Sequence, residues 1–280
     1  MQIITTISEM RSLADSLRTK GRTIGFVPTM GFLHEGHLSL MRSARQACDS
    51  VVASIFVNPI QFGPNEDFER YPRNEEGDRK KCETAGVDML FLPTVAEMYP
   101  EKPSVFVEVE GISDILEGAV RPGHYRGVAT VVNKLFNIVK PHKAFFGQKD
   151  FQQCAVIKRM VKSLNLDVEI VVMPTVREKD GLAMSSRNSY LSADERRAAA
   201  VVYRALFTAK HLIGDGVTDC EQLKSKMQDV LREQQEITID YIEFADPLSL
   251  EPRATVRGAT VILVAVRLGR TRLIDNIIIL

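Results

Sequence analysis

Residues 23–48, TIGFVPTMGFLHEGHLSLMRSARQAC, limit what this chain can become more than any other stretch. Ile24, Gly25, Phe26 and Val27 form a run between Arg22 and Pro28 that reads as a strand buried on both faces. Pro28 is expected to end its ladder, with Met30 and Gly31 making a loop. From about Gly36 the period changes. Leu40, Met41, Ala44, Ala47 and Cys48 recur at helical spacing, with Arg42, Arg45 and Gln46 opposite. A strand that enters a helix through a Gly-containing loop aims the helix's first N–H groups beyond the strand's C-terminal end, a place suited to phosphate. His34 and His37 flank Gly36 there. Three residues apart at a helix start, the two rings can share a face and donate to phosphate oxygens, while Gly36 lets backbone approach closely.

Zinc is the rival reading of that pair. The His-Glu-x-x-His helix needs its ligands four positions apart, and Gly36 suits a helix interior poorly. No cysteine lies close enough in sequence to complete a tetrahedral site. Phosphate is the better reading.

The rest of the chain repeats the same grammar. Residues 51–57 and 87–92 read as further buried strands, with a helix over 75–85 between them. A short strand and an amphipathic helix precede them at the N-terminus. Residues 143–147 (KAFFG) and 168–172 (VEIVV) continue the alternation, with helices over about 128–139 and up to 164. Alternating strands and helices imply right-handed crossovers and a parallel sheet. Residues 105–109 read either as an added edge strand or as part of a loop. Residues 60–74 lack a period and read as a long loop at a strand end, with Gln61 at its base. Arg121, His124 and Arg126, set among glycines before a helix, read equally as a second anion site or a solvated turn. Lys149 follows Gly147 at a strand end. Ser185, Ser186 and Arg187 could clamp a triphosphate. They could also belong to a turn leading to the capping box that starts at Ser192. Beyond it, helices over about 193–213 and 220–235 and three strands suggest a smaller α+β domain, with a hinge near 174–180.

Charge and cysteine usage narrow the function classes. Thirty-six basic residues balance 36 acidic ones, so no bulk field favours nucleic acid or an anionic membrane. No apolar run reaches a membrane span, and the N-terminus lacks the pattern of a secretory signal. Cys48, Cys82, Cys154 and Cys220 are scattered in helical patterns, which suits reduced thiols in a cytoplasmic protein.

Taken together, PTMGFLHEGH, SIFVNPIQF, LEGAVRPGHYRG, FGQKDFQQ and DGLAMSSRNSYLS resemble the pantothenate synthetase family, in its order and across nearly the whole chain. The two-histidine element and the MSSRN element also resemble the signature loops of nucleotidyltransferases and related aminoacyl-tRNA synthetases. The resemblance implies a Rossmann-like nucleotide-binding domain over residues 1–175 and a smaller α+β domain over 176–280 that closes over the active site. It implies that ATP and pantoate give pantoyl adenylate, which β-alanine converts to pantothenate and AMP, with Mg2+ accompanying the nucleotide. His34, His37 and Lys149 would be catalytic. ATP would meet Met30, Gly31, Phe32, Leu33, His34, Glu35, Gly36 and His37. It would also meet Gly147, Gln148, Lys149, Asp150, Val176, Met184, Ser185, Ser186 and Arg187. Gln61, Gln153 and Asn58 would hold pantoate and β-alanine, and the family is dimeric. Gln148 stands where some members have Glu. The alternatives are a nucleotidyltransferase that adenylates a phosphate-bearing acceptor and a nucleotide-sensing module without turnover.

Overall fold

Residues 1–64 and 66–280 are described by the computed structural model. They form two units, one of Met1–Gly147 and Gln152–Met173, the other of Gln148–Phe151 and Pro174–Leu280. The first unit carries β1 (Gln2–Ile4), α1 (Ile7–Thr19), β2 (Ile24–Thr29), α2 (Glu35–Ala47), β3 (Ser50–Ile55), α3 (Glu75–Thr84) and β4 (Met89–Phe91). There follow α4 (Val95–Met98), α5 (Glu117–Val120), α6 (His124–Val139), β5 (Lys143–Gly147), α7 (Phe151–Ser163) and β6 (Glu169–Met173). All six strands pair in parallel, in the order β1-β4-β3-β2-β5-β6. Ile24, Phe26 and Val27 of β2 are fully buried, as their unbroken apolar run requires. The chain moves outward from β2 through β3 to β4 and then returns to lay β5 on β2's other side. In such sheets ligands bind beyond the strands' C-terminal ends at the point of reversal, here between β2 and β5.

Pro28 does not end the ladder as the sequence suggests; pairing continues through Pro28↔Ser54 to Thr29↔Ile55. The carbonyls of Thr23 and Thr29 accept from Ser50 and Phe56, whereas that of Ile24 accepts from His142. Even-numbered residues of β2 therefore face β5, where pairing stops at Phe26↔Ala144. The N–H that Pro28 lacks had no strand partner to lose. Residues 105–109 follow the loop alternative. Val107 donates its amide to Thr130 Oγ1 at 3.0 Å, and Arg126 stacks over Phe106 at 4.0 Å, so the segment lies along α6. Cys48, Cys82, Cys154 and Cys220 are buried and unbridged. Burial, with Asp78 close by, pushes the Cys82 thiol up to about 12 and keeps it neutral.

His142 ties the start of β2 to β5 by accepting the Ile24 amide on Nδ1 at 2.9 Å. Burial first, then the charge of Arg18, holds its pKa below the ordinary histidine value. The unfolded chain therefore takes up the proton before the folded one. This contribution to stability is expected to be whole above the unfolded pKa of about 6.5 and to fall as pH drops toward the lower folded value. Denaturant midpoints measured across that window should decline more gently in His142→Asn than in wild type. Parallel declines would remove His142 as the cause.

The second unit holds α8 (Ala193–Ala198), α9 (Val201–Gly214), α10 (Cys220–Leu231), β7 (Ile237–Ala245), β8 (Thr260–Leu268) and β9 (Thr271–Ile279). Its strands form an antiparallel sheet in the order β7-β8-β9. Val202, Leu206, Leu223 and Met227 of the helices share a core with Phe244, Val264 and Leu268 of the strands. The single helix expected over residues 193–213 is two. Ser192 and Glu195 form the capping box of α8. The chain then tightens at Ala199 and Ala200, where Val202 reaches back three residues to the Ala199 carbonyl before α9 resumes. No helix among the described residues is long and apolar enough to cross a membrane.

Candidate functional site

The turn between β2 and α2 is built from the inside. Gly31 (φ +85°) and Phe32 (φ +50°) are left-handed, and a Cβ on Gly31 would come within 2.9 Å of Ile55. That reversal points the amides of Phe32 and Leu33 at Asp78 of α3, whose carboxylate accepts both at 2.7 and 2.8 Å. Lys81, one turn further along α3, donates to the Leu33 carbonyl at 2.6 Å. Asp78 is only 1 % exposed, so these bonds lie out of water, where charge-assisted contacts are strongest. The amides of Phe32 and Leu33 are thus committed inward, to Asp78.

The two imidazoles then close the helix start on each other. His34 Nδ1 accepts the Gly36 amide at 3.2 Å, and His37 Nδ1 accepts the His34 amide at 3.3 Å. Their ring centroids are 4.1 Å apart. This is a reciprocal cap with imidazole in place of the usual hydroxyl and carboxylate. A ring nitrogen that accepts an amide carries no proton, so each neutral ring carries its N–H on Nε2. The cap therefore fixes the tautomer as well as the ring position. Glu35 pairs with Arg42 along the exposed face of α2, and that guanidinium holds its carboxyl below the usual range.

A second group forms beyond β3. Asn58 and Gln61 are 1 % and 7 % exposed. Asn58 Nδ2 donates to Gln61 Oε1 at 3.0 Å and to the Gly127 carbonyl at 3.2 Å, while the Tyr99 hydroxyl donates to Asn58 Oδ1 at 2.9 Å. Gln61 Nε2 points at Met30 Sδ, 3.2 Å away. The start of α6 reaches this group only because residue 127 is glycine. A Cβ there would sit 2.5 Å from the Ile60 carbonyl oxygen and 2.6 Å from Gln61 Cα. The anion-site reading of Arg121 is corrected by Glu66, which takes the guanidinium through two bonds of 2.7 and 2.6 Å. Arg121 also lies 3.0 Å from His124 Nε2, and since a guanidinium only donates, His124 donates from Nδ1 to the Gln61 carbonyl at 2.9 Å. Gln153 is half-buried in the first turn of α7. Its neighbour Gln152 is consumed structurally, donating to the carbonyls of Ile112 and Ile115 at 2.7 and 2.8 Å and accepting the Glu117 amide at 3.0 Å.

The remaining candidate residues, apart from Gly147 at the end of β5, belong to the second unit. Gln148–Asp150 form one turn. Asn276 of β9 donates to the Gln148 and Lys149 carbonyls at 2.9 and 3.0 Å, fixing the backbone from which Lys149 projects. Lys149 Nζ lies 3.3 Å from Asp150 Oδ1. Val176 and Met184 face each other across a tight hairpin, joined by a 3.0 Å bond from the Met184 amide to the Val176 carbonyl. Arg177 anchors that hairpin, pairing with buried Asp275 at 2.5 and 3.0 Å and stacking on Tyr203 at 4.2 Å. Ser185 Oγ accepts the Arg187 amide at 3.3 Å and caps the turn Ser186–Tyr190. The hairpin thus brings Val176, Met184, Ser185, Ser186 and Arg187 onto one substructure. No group of three His, Cys, Asp or Glu among the described residues could hold a metal ion.

Sequence reasoning missed Asp78, Lys81, Tyr99 and Asn276. Only Asp78 left a signal: it stands four residues before buried Cys82, which puts a carboxylate on the inward face of a helix.

A family profile described as pantoate-beta-alanine ligase matches residues 2–278. The chain belongs to that family. A pantothenate synthetase of Caldicellulosiruptor saccharolyticus is 56 % identical over 279 residues, covering 100 % of this chain and 99 % of its own length. One from Thermotoga petrophila is 54 % identical with full coverage of both chains. The crystal structure of a pantothenate synthetase from Thermus thermophilus superposes with a TM-score of 0.94 at 47 % identity, covering 99 % of each chain. The family fold is therefore this chain's fold, in the strands as well as the helices.

Proposed function

We propose that the protein joins pantoate to β-alanine using ATP, through a pantoyl adenylate. A relative from Francisella tularensis, 36 % identical with a TM-score of 0.81, is described as complexed with β,γ-ATP and β-alanine, which supports ATP and the amine as substrates here. The observation that carries the reading is the imidazole cap: two donors fixed in tautomer and position at the start of α2, beside the reversal between β2 and β5.

The chemistry asks for positioning and charge stabilisation more than for covalent help. A pantoate carboxylate oxygen attacks the α-phosphorus, and pyrophosphate leaves. The β-alanine amine then attacks the acyl carbon, releasing AMP and a proton. His34 and His37 donate from Nε2 to phosphate oxygens as charge moves onto them, and Lys149, Ser185, Ser186 and Arg187 serve the departing pyrophosphate. Met30, Gly31, Phe32, Leu33, Glu35, Gly36, Gly147, Gln148, Asp150, Val176 and Met184 shape the nucleotide site. Gln61, Gln153 and Asn58 hold pantoate. Magnesium would enter with the nucleotide and would offset part of the phosphates' charge. Residues 176–280 shield the reactive adenylate from water. The protein works as a cytoplasmic homodimer, which sedimentation will show as twice the chain mass.

Exchange of labelled pyrophosphate into ATP tests the reading. Exchange is expected with pantoate and without β-alanine. Exchange that requires a phosphate-bearing acceptor instead would favour a different nucleotidyltransferase, and ATP binding with no exchange would favour a sensor.

A further inference from the structure

The Gly127 carbonyl can only accept a hydrogen bond. Asn58 meets it at 3.2 Å, so the atom there is the amide nitrogen, and the carboxamide oxygen lies on the other side, where the Tyr99 hydroxyl donates to it at 2.9 Å. The same nitrogen lies 3.0 Å from Gln61, which must answer with its oxygen. Gln61 Nε2 is thereby turned to the Met30 thioether, a weak acceptor. In this buried setting a flipped Gln61 would set donor against donor, a cost that burial leaves unrelieved.

We propose that Gln61 meets pantoate with its Nε2 donors, and that Asn58 and Tyr99, keyed by the Gly127 carbonyl, are the positioning residues that set this polarity. The inference rests on the assignment of pantoate to this pocket and narrows it. A glutamine can in general turn either end to a ligand, but here Asn58 holds the oxygen end, so the nitrogen end is the one that reads oxygen lone pairs on the substrate. The oxygen it meets is a carboxylate oxygen or the lone pair of a hydroxyl.

A cycle across protein and substrate tests this. Gln61→Leu is expected to lower kcat/KM for pantoate by about 10–100-fold, leaving KM for ATP unchanged. The same factor, within about twofold, is expected with analogues in which each hydroxyl in turn is oxidised to a carbonyl, which keeps the lone pairs and loses the proton. A penalty that vanishes with either carbonyl analogue would mean that Gln61 accepted that proton, and would overturn the polarity while leaving the pocket in place. No penalty with pantoate itself would overturn the pocket assignment, and the inference with it. Tyr99→Phe is expected to raise KM for pantoate about 3–10-fold with kcat and KM for ATP near wild type, and to lower the melting temperature modestly because buried Asn58 Oδ1 loses its donor. A lowered melting temperature with unchanged pantoate KM would make Tyr99 a packing residue only and overturn its positioning role.

Discussion

Replacing either His34 or His37 by alanine is expected to lower pantoate-dependent pyrophosphate exchange by about 10²–10³-fold, the size of losing one preorganised donor to developing charge. Each substitution also removes half of the reciprocal cap, which costs about 1 kcal/mol of stability. The two effects separate in His34→Asn, because asparagine caps helices well but has no equivalent of the Nε2–H. Its melting temperature should return toward wild type while exchange stays low. The double alanine variant should lose little more than the worse single one, since the two rings hold each other. Near-normal exchange in the double variant would take the pair out of the mechanism.

Asp78→Ala is the other large effect, and it reaches the same step from beneath. The substitution removes the carboxylate that the Phe32 and Leu33 amides share, at about 1–3 kcal/mol for the buried Leu33 amide alone. It also frees the left-handed turn whose position sets His34. A displacement of about 1 Å in such a support can cost about 10² in rate, so exchange should fall by that order below the melting transition. Lys81→Met, which loses only the bond to the Leu33 carbonyl, should show a smaller loss of the same kind. Unchanged exchange in folded Asp78→Ala, measured beside its circular dichroism spectrum, would show that the turn holds itself.

The parallel sheet was legible because its strands are apolar runs with no alternation, and a strand buried on both faces leaves that mark. The break at Ala199 and Ala200 was not, because a tightened turn in a run of alanines changes no period. Pro28 misled for a different reason. Whether a proline interrupts a strand depends on which side its missing N–H would face, and parity within the sheet decides that, not composition.

The histidine pair could be found from spacing, since three residues and a glycine at a helix start say much about geometry. Its tautomer could not, because that depends on which amides the rings accept. Arg121 could be read as an anion site because the sequence hides its partner, Glu66, which stands 55 residues earlier. Tyr99 and Asn276 act through contacts of 41 and about 128 residues' separation, which local pattern does not carry. Asp78 lay in a helix dense with charge, EEGDRKKCET, where one inward carboxylate resembles the solvated ones around it.

The central claim is that pantoate's carboxylate attacks the α-phosphorus of ATP. Pantoate labelled with oxygen-18 in its carboxylate, turned over with ATP and β-alanine, tests it by mass spectrometry of the nucleotide product. The account predicts AMP carrying one labelled oxygen, left behind when the amine takes the acyl group. Unlabelled AMP, or ADP with labelled phosphate, would contradict it.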